Sequence, residues 1–210
     1  MNTNIINQLG NFLYKSGEAV QRVLSVADVK NPIYEDSQEV LQLAQKQIVE
    51  PLGTMPNEEV YAFIGVHSKS VLSGKRDSVG FVITNFRVLT QTDVSVVSTP
   101  KKANSHLFTN KDNPDDLASE LWQNFITKVD ETIPKEYATM LEIPLKTVLT
   151  IVLLQLKTEG QLPDEIKKAT DLKGRIKQLG IEDQLKFYAE NEKKYKKRNA
   201  LARTARISAW

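Results

Sequence analysis

The run from Gly80 to Thr90 constrains the fold more than any other part of the chain. Phe81, Val82 and Ile83 form a β-branched and aromatic stretch. Thr84 and Asn85 interrupt it with turn-capable residues, and Phe86, Arg87, Val88 and Leu89 resume it at once. Two short strands meeting at a tight turn read this way, because branched and aromatic side chains suit a pleated surface and Thr-Asn suits the turn. A small antiparallel sheet is therefore expected near the middle of the chain.

Other segments join that sheet. Val60 to Val66 reads as a strand, and Ser73 to Asp77 as a polar turn before the hairpin. Val94 to Val97 and Ser105 to Thr109 are two more short strand candidates, separated by an exposed loop over Thr99 to Asn104. Helices are expected on both sides. Ile5, Leu9, Phe12, Leu13, Val20 and Leu24 recur at helical spacing, with Asn2, Thr3 or Asn4 available as a cap. A loop around Asn31 and Pro32 follows. Asp36, Ser37, Gln38 and Glu39 then have the form of a capping box for a helix with Val40, Leu41, Ala44 and Ile48 as its apolar stripe, ended by Pro51, Gly53 and Pro56.

After the sheet, Asn113, Pro114 and Asp115 make a helix start, with proline in the first turn and acids at the positive end of the dipole. Leu117, Leu121, Trp122, Phe125, Ile126 and Val129 give that helix a strong apolar face. Pro134 and Pro144 are expected to punctuate the link to an apolar helix over Leu145 to Leu156. Gly160, Pro163 and Gly180 divide the remainder, and a helix carrying Leu185, Tyr188 and Tyr195 runs from Ile181 into a basic tail. The whole reads as α+β in three regions: a helical arm over 1–56, a small sheet with its covering helix over 57–132, and a helical region with a basic tail over 133–210. There is no internal repeat.

The middle region resembles the bacterial PH-like (GRAM-like) β domains. The residues that carry the resemblance are Glu58, Glu59 and Val60, opening a strand, and Thr84, Asn85, Arg87, Val88 and Leu89 at a hairpin turn. It covers roughly residues 58 to 130, and the helix from Leu117 to Val129 falls where that family closes its sheet. The family's sheet has more strands than the four or five seen here. The resemblance implies a binding scaffold and brings no catalytic residues with it.

Composition excludes several chemistries. The 210 residues include no cysteine, which removes disulfides, thiolate nucleophiles and cysteine-bound metal centres. The two histidines, His67 and His106, could share a metal with carboxylates if their strands paired. Ser68, His67 and Asp77 could be drawn as a triad, with Arg76 nearby, but no nucleophile elbow or oxyanion segment accompanies them. Glu165-Ile166-Lys167 and Glu192-Lys193-Lys194 match a nuclease tripeptide but sit at helix positions where charges are ordinarily solvated. Leu72-Ser73-Gly74-Lys75 lacks the spacing of a phosphate-binding loop. No cofactor and no catalytic residue is assigned.

Partner binding is the functional expectation. Formal net charge is +2, yet from Asp164 to Trp210 there are 13 Lys and Arg against 7 Asp and Glu, a net of +6, which leaves −4 for the rest. The tail residues Lys193, Lys194, Tyr195, Lys196, Lys197, Arg198, Arg203, Arg206 and Trp210 are candidate contacts, as are Lys75 and Arg76 at a hairpin tip. The first reading is a non-enzymatic module that binds another protein, a bacterial accessory or toxin-neutralising (immunity) partner among the possibilities. The second is nucleic-acid binding through the tail, by phosphate contacts and base stacking. The N-terminal residues show no secretory leader, and the longest apolar run, Val148 to Leu156, is short of a membrane span, so a cytoplasmic protein is expected.

Overall fold

The computed structural model describes residues 1–34, 37–69, 76–91, 103–128 and 135–160. A five-stranded antiparallel sheet, in the order β1-β2-β3-β4-β5, is packed with helices, so the class is α+β. The strands are β1 (Leu24–Val26), β2 (Val60–Lys69), β3 (Arg76–Thr84), β4 (Arg87–Gln91) and β5 (Ala103–Leu107). The helices are α1 (Thr3–Lys15), α2 (Glu18–Gln21), α3 (Ser37–Ala44), α4 (Pro114–Lys128) and α5 (Lys135–Thr158).

The hairpin over residues 80–90 forms as its composition predicts: Ile83 pairs with Val88 and Val82 with Leu89 across the turn at Asn85 and Phe86. Every residue from Ser78 to Thr84 and from Arg87 to Thr90 is buried, so both faces of the sheet are covered. One face meets α4, where the rings of Phe81 and Phe125 lie 5.0 Å apart, centroid to centroid, in a tilted arrangement. Such a pair adds about 0.5–1.5 kcal/mol beyond its area burial. Gly65 of β2 lies opposite Gly80 of β3, letting the two backbones approach closely while the Phe63 ring packs over the gap. One core joins α1, α3, the sheet, α4 and α5, from Ile5 to Leu156.

Three expectations are corrected. Leu24 is not the last residue of an N-terminal helical stripe. The chain leaves α1 at Ser16, makes the short α2, and enters β1, where Leu24 pairs with Ile64. The buried Asn31 holds this path by donating to the carbonyls of Gln21 and Leu24 and accepting from the amide of Ile33. Pro144 does not precede the apolar helix but lies inside α5 and is buried there. It removes one backbone bond, a penalty of about 3 kcal/mol in an isolated helix, yet Leu141, Leu145, Val148, Leu149 and Val152 anchor both flanks in the core. The strand expected from Val60 to Val66 runs on to Lys69, and that expected at Ser105 to Thr109 starts at Ala103 and ends at Leu107.

After α3 the helix widens into a π-turn over Gln45–Val49 and tightens into a 3₁₀ turn over Glu50–Leu52, ending at Gly53 (φ 81°). This geometry carries Gln47 to β3, where its side-chain oxygen accepts the amide of Ser78 at 2.7 Å. α5 is long and apolar enough to pass a membrane-span test, but Leu145, Val148, Leu149, Val152, Leu153 and Leu156 lie fully buried in the core.

Candidate functional site

The two quoted motifs, Glu58-Glu59-Val60 and Thr84 to Leu89, meet at the end of the sheet where β3 turns into β4. The Arg87 guanidinium lies against the Glu58 carboxylate through two parallel bonds, Nε to Oε1 at 2.7 Å and Nη2 to Oε2 at 2.9 Å. Both side chains are 1% exposed. Glu58 Oε1 also accepts from the Thr84 hydroxyl and Oε2 from the Met55 amide, while Arg87 donates to the carbonyl of Gly53. Thr84 Oγ1 accepts the amides of Phe86 and Arg87, which fixes the turn. Asn85 clamps the strand opening, accepting the Glu59 amide and donating to the Asn57 carbonyl. A charged pair removed from water needs this degree of satisfaction to persist.

Above this buried network lies an open cleft of about 490 Å³, lined by Asn2, Asn57, Glu59, Tyr61, Asn85 and Phe86, with Met1 at its edge. Asn2 is engaged as the cap of α1, and both ends of the Asn85 amide are taken. Two polar groups differ. Glu59 is 37% exposed and meets the Met1 ammonium at 2.7 Å. Tyr61 is only 1% exposed. Burial first, and the carboxylates of Glu59 and Glu159 second, push its phenol up to about 12, so it stays a neutral donor and acceptor. A second cleft of about 240 Å³, lined by Ala27, Asp28, Gln38, Leu41 and Val60, lies on the other side of Met1. No lysine, arginine or histidine lines either cleft among the described residues.

None of the described candidates chosen from sequence lines the cleft. Lys75 and all the tail residues from Lys193 to Trp210 are outside the described residues, as are Val94 to Val97, Glu165 and Lys167. Arg76 opens β3 opposite Lys69, at the far end of β2 from the cleft and roughly 30 Å away at 3.3 Å per residue. His67 sits on β2 and His106 on β5, three strand spacings apart across the sheet (roughly 14 Å) and five residues apart along the strands, since His106 lines up with Ala62 (roughly 16 Å more). Their strands do not pair, so the two histidines are not brought to one metal. Ser68 and Asp77 face each other in the β2–β3 ladder, with His67 opposite Ser78. The His67 ring instead meets Tyr34 edge-on, with centroids 6.4 Å apart. His106 pairs with Asp112 at 3.3 Å.

The cleft was missed in the sequence because its lining comes from three separated segments. Glu59 and Asn85 stood out as motif residues, but Tyr61 reads only as an apolar strand position. No protein-family model, curated protein or solved structure matches the chain.

Proposed function

We propose that this chain is a non-enzymatic protein-binding module built on a PH-like sheet, and that it binds through the cleft at the hairpin end. The observation that carries the reading is the cleft itself. Its Glu59 carboxylate lies partly exposed above a rigid, fully hydrogen-bonded base. The residues of the hairpin motif support the surface from below and leave recognition to their neighbours. Accessory or toxin-neutralising binding would be one instance of such a role.

The test is affinity purification of the full-length chain from its native cells at moderate and high salt, with mass spectrometry of retained protein and nucleic acid. A single protein kept at high salt, and lost on substitution of the cleft residues, is the expected result. Recovery of the free chain alone would sink the reading. Nucleic acid that washes off as salt rises favours the second reading, in which the basic tail with its net +6 contacts phosphates.

A further inference from the structure

We propose that the outer face of α5 is a contact between two copies of this chain, which pair antiparallel about a two-fold axis passing between Thr147 and Thr150.

The composition of that face marks it as a contact surface. Thr139, Ile143, Thr147, Thr150, Leu154 and Thr158 follow one another at spacings of three or four residues, so they form one stripe along the helix. The opposite face, which carries Leu141, Leu145, Val148, Leu149, Val152 and Leu156, is buried in the core. Ile143 is 69% exposed and Leu154 is 54% exposed. The threonine hydroxyls bring no donor that needs water. Those of Thr139, Thr147, Thr150 and Thr158 donate to the carbonyls of Lys135, Ile143, Lys146 and Leu154 in their own helix. The stripe itself contains no charged side chain. Lys146 and Lys157 flank it, and Lys157 is held by the Asp112 carbonyl at 2.8 Å. An apolar surface of this kind, kept in water, is characteristic of an interaction site.

The order of the residues selects the occupant. The stripe has the same pattern from either end: Thr139 mirrors Thr158, Ile143 mirrors Leu154, and Thr147 mirrors Thr150, about a point midway between Val148 and Leu149. Two antiparallel copies therefore set each residue against its mirror, aliphatic on aliphatic and threonine on threonine. That is the self-complementarity an isologous, two-fold interface requires, and an unrelated partner would not need it.

Helix geometry agrees. Thr139, Ile143 and Thr147 form one row of i, i+4 neighbours, and Thr150, Leu154 and Thr158 form another. Ridges of that kind interdigitate where two helices cross at about 50°, with axes roughly 8–10 Å apart. The small Thr147 and Thr150 lie at the crossing point, which permits the close approach, and Ile143 of each copy packs on Leu154 of the other. Lys146 mirrors Ile151, so the lysines of the two copies are not opposed. One helix crossing buries less than the roughly 1,200 Å² at which standard interfaces begin, so the association is expected to be weak and concentration dependent.

The experiment is sedimentation velocity on the full-length chain across a hundredfold range of concentration, joined to cross-linking in its cysteine-free background. A dimer that grows with concentration is expected. Ile143→Asp and Leu154→Asp should each weaken it at least tenfold with the melting temperature unchanged, because both side chains are exposed in the single chain. With a short bismaleimide, a mixture of Ile143→Cys and Leu154→Cys should cross-link, and either variant alone should not, since like residues of the two copies lie roughly 16 Å apart along the helix at 1.5 Å per residue. A chain that stays monomeric throughout, or a dimer untouched by both aspartate variants, overturns the proposal. Cross-linking of Leu154→Cys with itself as readily as with Ile143→Cys overturns it too, by showing a parallel register. A monomer that instead sediments with phosphatidylcholine vesicles, and ceases to on Ile143→Asp, assigns the face to a lipid surface and also overturns it.

Discussion

Glu58 and Arg87, 29 residues apart in sequence, form a two-bonded ion pair with both side chains 1% exposed, and this pair ties the entry of β2 to the turn between β3 and β4. Burying two charges is favourable only because each oxygen and nitrogen named above has a partner. Removing one member leaves the other charged, buried and unmatched.

Arg87→Met and Glu58→Leu should therefore each destabilise the fold by about 3–5 kcal/mol, the range for breaking a buried pair from one side. Arg87→Lys should fall near the same range, since a lysine cannot reproduce two parallel bonds plus a third to Gly53. The double variant Glu58→Leu/Arg87→Met should be less damaging than the sum of its single changes. Urea unfolding of all four proteins checks this, and strict additivity would show that the pair is not energetically coupled.

The glycine pair in the same sheet gives a sharper steric prediction. A Cβ at Gly80, whose φ is 154°, would sit 2.1 Å from the carbonyl oxygen of Ile64, and one at Gly65 would sit 2.2 Å from that of Val79. Both obstacles are backbone, so neither can yield without opening the β2–β3 ladder. Gly65→Ala should cost roughly 1–3 kcal/mol by overpacking, and Gly80→Ala more, because the strain of its φ adds roughly 1–3 kcal/mol. Gly17→Ala, where nothing lies within 4 Å, should stay within about 0.5 kcal/mol of wild type. Thermal unfolding of the three variants decides it.

What the sequence made legible follows from how local each signal is. The strands around Phe81–Val88 declared themselves because branched residues and a Thr-Asn turn lie side by side, and α4 because its stripe runs unbroken from Leu117 to Phe125. Leu24 misled because it falls in phase with Leu13 and Val20, whereas its pairing with Ile64 is a contact across 40 residues that periodicity does not encode. Pro144 misled because its cost is local and its compensation is distant. The cleft left no mark at all: Asn2, Asn57, Tyr61 and Asn85 become neighbours only when α1, the β2 entry and the hairpin are assembled.

His106 and Asp112 should give stability a window in pH. The bond to Asp112, outweighing burial, holds the His106 imidazole above its usual 6.5. Burial pushes the Asp112 carboxyl up, but its bonds to His106 and to the Thr109 amide prevail and hold it below its usual 3.8. The sign for the histidine is that its contribution is complete below 6.5 and is lost as pH rises through the raised value. For the carboxylate it is complete above 3.8 and lost as pH falls through the lowered one. Melting temperature should thus be highest between about 4 and 6.5. His106→Gln should flatten the decline on the alkaline side and, by removing one of the bonds that lower Asp112, also weaken the dependence on the acid side. An unchanged alkaline decline in the variant would show that another group is responsible.

Tyr61 provides a test of the cleft that needs no partner. Its phenol is raised to about 12 by burial and by the nearby carboxylates of Glu59 and Glu159. Because the folded group holds its proton more tightly than the unfolded one, its contribution to stability is present below about 10 and is lost as pH rises toward 12. A spectrophotometric titration of the native protein should therefore show a tyrosine step near 12, and Tyr61→Phe should abolish that late step. Glu59→Gln removes one of the two carboxylates that hold the proton on, so it should move the late step toward lower pH without eliminating it. A late step unaffected by Glu59→Gln would mean that burial and Glu159 set the value and that the Glu59 carboxylate does not act on the hydroxyl.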